Sequence, residues 1–222
     1  MKKSFNVIIA TAGRSTLQRM IDSIAPQLEQ QDYLTILWDC QPMSLQIDSK
    51  CKVVSLHNPE PLGFWGHGSR NRWQDELPGD YFMNGDDDDI YLEDSMTIIR
   101  DVCKEKKLYI FKFVTKSGHV PSFNSIEIGN VGTPCGVYPK INKFPKWEHQ
   151  YGGDGIFYIS LSKMLPVEFV NKIIYEVQPQ SIRPAEAIRR QLYCGCGREA
   201  VMEYDKIFNT WRGYCHKCDK IL

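Results

Sequence analysis

The chain contains Tyr81-Phe-Met-Asn-Gly-Asp86-Asp87-Asp88-Asp89-Ile-Tyr91, in which a short apolar run leads into four consecutive carboxylates. The apolar residues predict a buried strand. If the backbone stays extended beyond it, Asp86 and Asp88 point to one side of the chain and Asp87 and Asp89 to the other. Carboxylates on one side repel each other unless a cation lies between them, and Mg²⁺ or Mn²⁺ suits such oxygen ligands. The alternative is an acidic surface turn, because Asp favours turns.

The first part of the chain alternates between strand and helix patterns. Three apolar runs predict strands: Phe5–Ala10, Leu34–Trp38 and Val53–Leu56. Between the first two, residues 17–28 carry apolar side chains at helical spacing, with Ser15 or Thr16 available as the N-cap. Strands that alternate with a helix imply βαβ units, so we expect an α/β fold with a mostly parallel sheet flanked by helices.

The second part contains further elements and two irregular stretches. The predicted elements are a polar helix over Ser69–Glu76, an amphipathic helix over Glu93–Lys104, a strand over Leu108–Val114 and broken strand segments over Asn124–Tyr138. Residues 58–68 are too rich in Gly and Pro for a regular element. Glycines on both sides of Asp154 predict a loop that holds this carboxylate out toward a ligand. The polar, Pro-containing residues 178–184 predict a boundary between a domain at 1–183 and a tail at 184–222.

Composition narrows the class of protein. The 222 residues allow one domain, or one domain plus a small appendage. Lys+Arg and Asp+Glu balance at 27 each, which argues against a dedicated nucleic-acid binder. No apolar run reaches the ~18 residues that span a bilayer, and the first apolar stretch is too short for a secretory signal. We therefore expect a cytoplasmic protein with reduced thiols, whose only membrane contact would be peripheral.

Two close cysteine pairs lie in the tail, Cys194-Gly-Cys196 and Cys215-His-Lys-Cys218. Their spacing around an insert of hairpin length matches a tetrahedral structural Zn²⁺ site, with reduced surface cysteines as the alternative. The insert predicts two strands, Val201–Tyr204 and Ile207–Trp211. Four cysteine ligands leave no open coordination position, so we expect this zinc to hold the small tail together rather than to act in catalysis.

Five motifs occur in order along residues 5–165. They are Val7-Ile-Ile-Ala-Thr-Ala-Gly-Arg14, Ile36-Leu-Trp-Asp39, Gly63 through Asn71, Asp86-Asp-Asp-Asp-Ile-Tyr91 and Gly152-Gly-Asp154. Together they resemble the motifs of family-2-type glycosyltransferases of the GT-A fold, in which the fourth motif is written D-x-D-D-I-W. The fifth motif departs from the Gly-Glu-Asp of that family, because Gly153 stands in place of the Glu.

The resemblance implies a role for each of these positions. Asp88, together with Asp86, would hold a catalytic Mn²⁺ or Mg²⁺, and Asp154 would be the catalytic base that takes the proton of the acceptor hydroxyl. The residues that would bind the donor, for which a UDP-sugar is favoured, are Thr11, Arg14, Asp39, Arg70, Asp86 and Asp87. The expected reaction is a single displacement with inversion. The expected acceptor is a glycan or a lipid-linked saccharide, in glycan or cell-surface polysaccharide synthesis.

Two other functions stay open at this point. A nucleotidyltransferase also uses metal and carboxylates, but it would need a Gly-rich phosphate loop followed by a Lys, and residues 11–14 offer one glycine and no Lys. In a non-catalytic binding protein, the tail would recruit a partner and the acidic cluster would be structural. Phe64, Trp65 and Trp147 are candidates for stacking on a sugar face or a nucleobase. Acceptor specificity would reside in the loops at 116–123 and 139–150.

Overall fold

The computed structural model describes residues 2–116 and 118–179, and only the backbone of residues 201–205, 210–215 and 220–221. The chain divides into two units, Met1–Pro179 and Gln180–Leu222. The predicted boundary after residue 183 stays a prediction. Among the described residues, every helix is too short or too polar to cross a membrane.

The described part of the first unit contains nine strands and four α-helices. The strands are β1 (Phe5–Thr11), β2 (Tyr33–Trp38), β3 (Lys52–His57), β4 (Tyr81–Asp86), β5 (Ile90–Tyr91), β6 (Leu108–Thr115), β7 (Gly118–Val120), β8 (Gly136–Pro139) and β9 (Val167–Glu176). The helices are α1 (Leu17–Ile24), α2 (His67–Trp73), α3 (Ser95–Val102) and α4 (Gly153–Ser162), with 3₁₀ turns at Ala25–Gln27, Phe64–Gly66 and Thr133–Cys135. The five strands predicted before residue 116 are therefore confirmed.

These strands form one mixed sheet in the order β3-β2-β1-β4-β8-β6-β9-β5, with β7 paired to β6. The β3-β2-β1-β4 half is parallel, as predicted, with α1 in the connection from β1 to β2 and α2 in the connection from β3 to β4. In the other half, β8 runs antiparallel to β4 and to β6, and β5 runs antiparallel to β9. The prediction of a mostly parallel sheet is wrong for this half, since the simple strand–helix alternation of the sequence ends at β4.

Strand β1 lies inside the parallel half, and all seven of its residues are buried. Its continuous apolar run suits a strand that is covered on both faces. The register pairs Thr11 with Trp38 of β2, and Ala10 with Asp86 of β4. The carboxyl ends of these three strands therefore meet at one edge of the sheet, which is where open α/β sheets bind ligands.

Helices α1 and α3 bury the side chains that their spacing predicts. The buried residues of α1 are Leu17, Met20, Ile21 and Ile24. Met96 and Ile99 are buried in α3. Thr16 occupies the N-cap position of α1, as predicted, but its hydroxyl makes no capping bond and has no hydrogen-bond partner in the described chain. Packing of the apolar face, rather than a cap, stabilises this helix.

Two predictions for the region before β9 are wrong. The strand segments expected over 124–138 are reduced to β8, which irregular chain and a 3₁₀ turn precede. The loop expected around Asp154 is instead the first turn of α4. Glycine disfavours helices, but Gly155 packs so closely that a Cβ there would lie 2.9 Å from Cα of Ile128. This close approach, which only glycine allows, outweighs the low helix propensity.

The described backbone of the second unit forms a three-stranded antiparallel sheet of β10 (Val201–Asp205), β11 (Thr210–Cys215) and β12 (Lys220–Ile221). The first strand predicted for the zinc insert is confirmed. The second begins at Thr210, later than predicted, because the register pairs Asp205 with Thr210. Of the four predicted zinc ligands, Cys194, Cys196 and Cys218 lie outside the described residues, and for Cys215 only the backbone is described.

Candidate active site

A cleft of about 570 Å³ opens at the carboxyl ends of β1 and β4. Seven of the eight residues predicted for the donor, the catalytic metal and catalysis line it: Thr11, Arg14, Asp39, Asp86, Asp87, Asp88 and Asp154. The eighth, Arg70, is fully buried and does not line the cleft, but it forms an ion pair with Asp86, which does. The fold therefore collects side chains from widely separated parts of the chain around one space.

The acidic stretch leaves the strand conformation after Asp86. Residues 87–88 form a turn in which the N–H of Asp89 donates to the carbonyl of Asp86 at 3.4 Å, so the backbone does not stay extended through the four acids. Burial nevertheless separates them in the expected pairs. Asp87 and Asp89 are buried, whereas Asp86 and Asp88 keep 34% and 25% of their side chains exposed. Asp86 and Asp88 are thus the pair available to a ligand.

Arg14 neutralises part of this cluster. Its Nη1 lies 3.0 Å from Asp87 Oδ1 and 2.8 Å from Asp88 Oδ2. The hydroxyl of Thr11 donates to Asp87 Oδ2 at 2.6 Å, which fixes the buried carboxylate between two donors. Burial lowers the pKa of Arg14, but the neighbouring carboxylates, Asp88 above all, outweigh burial and raise that pKa above its ordinary value. A guanidinium is therefore a resident cation in the cleft.

Arg70, on α2, holds Asp86 from within the core. Its Nη2 donates to Asp86 Oδ1 at 2.8 Å and to the carbonyl of Gly85 at 3.0 Å. Its Nε donates to Asn84 Oδ1 at 3.2 Å, and its Nη1 donates to the carbonyl of Trp65 at 3.1 Å. A buried arginine with this many acceptors ties the end of β4 to the turn before α2. Its first role is to position the cleft, whatever the cleft binds.

Asp89 is the acid least suited to carrying charge. Burial, together with the charges of Asp86 and Asp88, raises the pKa of Asp89 to about 8. Its Oδ1 accepts the backbone N–H of Gln178 at 2.9 Å. Burial also raises the pKa of Asp87 above its ordinary value. The protonated form of Asp89 is thus favoured over that of an ordinary carboxyl, and protonation there reduces the repulsion among the four acids.

The donor set of Asp86 and Asp88 fits a divalent cation. Arg70 pairs with Asp86 Oδ1, and Arg14 and Gln178 contact Asp88 Oδ2. Within the described chain, Asp86 Oδ2 and Asp88 Oδ1 thus keep no hydrogen-bond or ion-pair partner. Mg²⁺ binds through one or two carboxylates and completes its shell with water and phosphate oxygens. The described residues contain no cluster of three or more His, Cys, Asp or Glu that could hold an ion by protein ligands alone.

Asp39 holds the loop that precedes α2. Its Oδ1 accepts the N–H of Leu62 at 2.6 Å and the amide of Asn58 at 3.0 Å, and its Oδ2 accepts the N–H of Gly63 at 2.6 Å. The sequence did not indicate this structural role. Because each carboxylate oxygen accepts about two hydrogen bonds, Oδ2 keeps room for one further donor from a ligand in the cleft.

Asp154 is the second residue of α4, and its side chain lines the cleft. Its Oδ2 accepts the N–H of Thr133 at 3.1 Å, and its Oδ1 accepts the N–H of Gly155 at 2.8 Å. The positive end of the helix dipole also favours a carboxylate in the first turn. These contacts fix the direction of the carboxylate, as a proton acceptor requires.

Position 153, where the Gly-Glu-Asp motif noted in the sequence analysis has Glu, has no space for a side chain. A Cβ on Gly153 would collide with the carbonyl oxygen of Glu148 and would lie 2.9 Å from Cε1 of His67. His67 is buried, with its Nδ1 at 2.7 Å from the same carbonyl oxygen. Burial lowers the pKa of His67, so a neutral imidazole donates this bond. The departure from the family motif is therefore built into the packing, and Asp154 is the acid that remains.

Two residues of the site carry no sequence signal. The hydroxyl of Tyr175, in β9, accepts the backbone N–H of Asp86 at 2.8 Å. Gln178, just after β9, donates to Asp88 Oδ2 at 3.2 Å. Both reach the acids only because the sheet brings β9 close to them. Trp147, expected to stack on a ligand, is instead fully buried and packs on Phe157 with ring centroids 4.1 Å apart, so that prediction is wrong.

No protein-family model matches the chain, and no curated protein matches it. Several solved structures are similar. The crystal structure of S. aureus TarS 1-349 has a TM-score of 0.64 at 14% identity, over 78% of this chain and 60% of that chain. The same fragment in complex with UDP-GlcNAc has a TM-score of 0.61 at 15% identity, over 81% and 60%. Mannosyltransferase PcManGT from Pyrobaculum calidifontis, in complex with GDP-Man and Mn²⁺, has a TM-score of 0.58 at 9% identity, over 81% and 58%.

These likenesses establish the fold. The chain spans about three fifths of the length of these matched structures. The predicted fold is confirmed in its coarse form, because the chain shares a mixed α/β architecture with a mannosyltransferase.

Proposed function

We propose that the chain is a metal-dependent glycosyltransferase that moves a sugar from a nucleotide-diphosphate sugar to an acceptor hydroxyl, with inversion. The observation that carries the proposal is the shared cleft. Asp86 and Asp88 line it from the end of β4, and Asp154 lines it from the first turn of α4. Oxygen ligands suited to a cation and a fixed proton acceptor thus border one space, which is what sugar transfer from a diphosphate requires.

Asp86 and Asp88 would hold Mn²⁺ or Mg²⁺ through the two carboxylate oxygens that have no partner in the described chain. The bound ion would supply Lewis-acid stabilisation of the departing diphosphate. Arg14 lines the same cleft and offers a second positive charge to an anionic donor. Thr11 and Asp87 hold Arg14 and the turn at residues 87–88 in place. Asp39 offers one free hydrogen-bond acceptor position to the sugar nucleotide.

Asp154 would act as the catalytic base. In a direct displacement, the acceptor oxygen bonds to the anomeric carbon as the bond to the diphosphate breaks, and the proton of the acceptor hydroxyl passes to Asp154. Hydrogen bonds from Thr133 and Gly155 orient the carboxylate for this transfer. A single displacement inverts the anomeric configuration and needs no covalent intermediate.

Likeness to structures that hold UDP-GlcNAc, or GDP-Man with Mn²⁺, supports a nucleotide-sugar donor. Among donors we favour a UDP-sugar. We propose a glycan or a lipid-linked saccharide as the acceptor, which would place the reaction in glycan or cell-surface polysaccharide synthesis. In a cytoplasmic protein, a lipid-linked acceptor would be met by peripheral membrane contact.

The alternative is a non-catalytic binding protein of the same fold. The observation that favours it is that Arg14 and Arg70 already pair with Asp88 and Asp86, as they would in a purely structural acidic cluster. A nucleotidyltransferase has less support, because the turn at 11–14 supplies neither a Gly-rich loop nor a Lys.

A thermal-shift screen with UDP-, GDP-, dTDP- and CMP-sugars, with and without Mn²⁺, tests the proposal. We expect one nucleotide class to raise the melting temperature in a Mn²⁺-dependent manner. Asp88→Asn should abolish the effect of Mn²⁺. Asp154→Asn should keep donor binding and lower turnover by about 10²–10⁴-fold. If no sugar nucleotide stabilises the wild type, a non-catalytic binding protein is the better description of the chain. Undiminished turnover by Asp154→Asn would show that Asp154 is not the catalytic base.

For the tail at 184–222 we propose a structural Zn²⁺ bound by Cys194, Cys196, Cys215 and Cys218. The spacing of the two pairs supports this proposal. Metal analysis of the purified protein should give one zinc per chain, and replacement of Cys215 by Ser should remove it. If a zinc-free protein had a tail as resistant to proteolysis as the tail of the zinc-containing protein, the proposal would be contradicted.

A further inference from the structure

The turn before α2 holds two aromatic residues in an unfavourable backbone conformation. Residues 63–66 all have positive φ, with 65° at Gly63, 53° at Phe64, 53° at Trp65 and 82° at Gly66. Glycine adopts this region freely, but a bulky aromatic residue rarely does. Two consecutive aromatic residues in the left-handed region indicate that the surrounding structure enforces the conformation.

Polar side chains on both sides hold this turn. Asp39 accepts the backbone N–H groups of Leu62 and Gly63 ahead of it. Arg70, which is fully buried, donates to the carbonyl of Trp65. The positions of the two rings are therefore set by the same residues that shape the cleft.

The two rings are not used for the core. Phe64 is 49% exposed and Trp65 is 64% exposed, and Trp65 lines the cleft. Single exposed aromatic residues are common and need no explanation. Here, however, exposure is combined with an enforced backbone and a position at the cleft, and this combination indicates a surface kept ready for a ligand.

Contacts of the two rings lead toward Asp154. Phe64 stacks on His149, with ring centroids 4.4 Å apart and an interplanar angle of 13°. Trp65 lies 6.2 Å from the ring of His67, which in turn packs against Gly153, next to Asp154. Of the aromatic surface, defined here as Phe64, Trp65 and His149, Trp65 lines the same cleft as the proposed base Asp154.

We propose that this aromatic surface binds the acceptor as a saccharide, with one sugar ring lying on the face of Trp65. The inference rests on the proposed function and assigns a residue that binds its saccharide acceptor. A pyranose has an apolar C–H face and a rim of hydroxyl groups. The indole covers the C–H face and leaves the rim free, so a hydroxyl can be directed to Asp154 while His149 offers a polar ring edge.

Three variants test this inference. They are Trp65→Ala, Trp65→Phe, which keeps a ring, and Met164→Ala, a control at an apolar residue that is 54% exposed and lies outside the cleft lining. Each is measured for the melting-temperature shift with UDP-sugars and Mn²⁺, and for retention on a panel of immobilised oligosaccharides in the presence of UDP. We expect Trp65→Ala to weaken oligosaccharide retention by about tenfold, without changing the UDP-sugar shift. Trp65→Phe should retain most of the oligosaccharide binding, and Met164→Ala should match the wild type.

The outcomes separate the two proposals. A wild type that binds a UDP-sugar but no oligosaccharide overturns the saccharide acceptor and leaves the transferase intact. If Trp65→Ala loses the melting-temperature shift with UDP-sugars but keeps its oligosaccharide retention, the acceptor role of Trp65 is also overturned. The indole ring would then be assigned to the nucleobase. A wild type that binds no sugar nucleotide defeats the proposed function and the acceptor role together.

Discussion

Replacing Arg14 with methionine is expected to strengthen the binding of Mn²⁺ to the acidic cluster. The guanidinium lies 2.8 Å from Asp88 Oδ2 and 3.0 Å from Asp87 Oδ1, beside the carboxylates proposed as metal ligands. A cation bound to Asp88 must therefore compete with a positive charge that is already present. Methionine keeps much of the side chain's length and removes that charge.

The size of the effect follows from Coulomb's law. Two unit charges about 4 Å apart interact by about 1 kcal/mol at the dielectric constant of water, so a divalent ion would be repelled by about 2 kcal/mol. The water value is appropriate because the side chain of Arg14 is 42% exposed and can turn toward solvent. We therefore expect Mn²⁺ affinity to rise by about 5- to 30-fold, which corresponds to about 1–2 kcal/mol.

Titration of free Mn²⁺ by electron paramagnetic resonance measures this affinity directly, without turnover. Arg72→Met is the matched control, because Arg72 is exposed on α2 and contacts the ring of Trp73 rather than the acids. Asp88→Asn should lose the Mn²⁺ site. The gain in Arg14→Met should shrink as ionic strength rises. Unchanged or weaker Mn²⁺ binding in Arg14→Met would refute the reasoning, because it would show that Arg14 and the ion do not share Asp88.

Two further predictions concern buried charge. Arg70→Met should lower the free energy of unfolding by about 3–5 kcal/mol, because it leaves Asp86 and several carbonyl groups without their hydrogen-bond donor. The control Arg72→Met should change that free energy by no more than about 0.5 kcal/mol. Urea denaturation of both variants measures the two values, and equal losses would contradict the prediction. Burial lowers the pKa of His67, so the unfolded chain binds the proton more tightly and stability should fall as the pH drops below about 6.5. Urea denaturation at several pH values should show that the free energy of unfolding falls less steeply with decreasing pH in His67→Gln than in the wild type. The same pH dependence in both proteins would refute this prediction.

Much of the fold could be predicted because its first half follows local rules. The buried strands β1 and β2 and the first half of β4 are largely apolar, and the parallel pairing of these strands is consistent with the helices between them. Parallel pairing then places the residues at the strand ends together, which is why Thr11, Asp39 and Asp86 line one cleft. The second half did not follow, because β8 and β9 pair with strands that are distant in sequence.

The candidate site shows the same division. The sequence identified Asp88 and Asp154 as candidate functional carboxylates. It did not predict the turn after Asp86 or the helix that contains Asp154. Trp147 and Trp65 looked equivalent in sequence, yet one lies in the core and the other faces the cleft. Composition cannot distinguish these cases, because the burial of a ring depends on which elements pack around it.

The order of residues by itself determined the strands β1 to β4 and β6, the carboxylates at the end of a strand and the residue types that can bind a cation or accept a proton. Only the tertiary structure decided that Arg14 and Arg70 neutralise the acids, that Gly153 admits no side chain and that two aromatic rings stay exposed at the cleft. The physical reason is range. Strand patterning depends on neighbours two residues apart, whereas these contacts depend on how the folded sheet brings distant segments together.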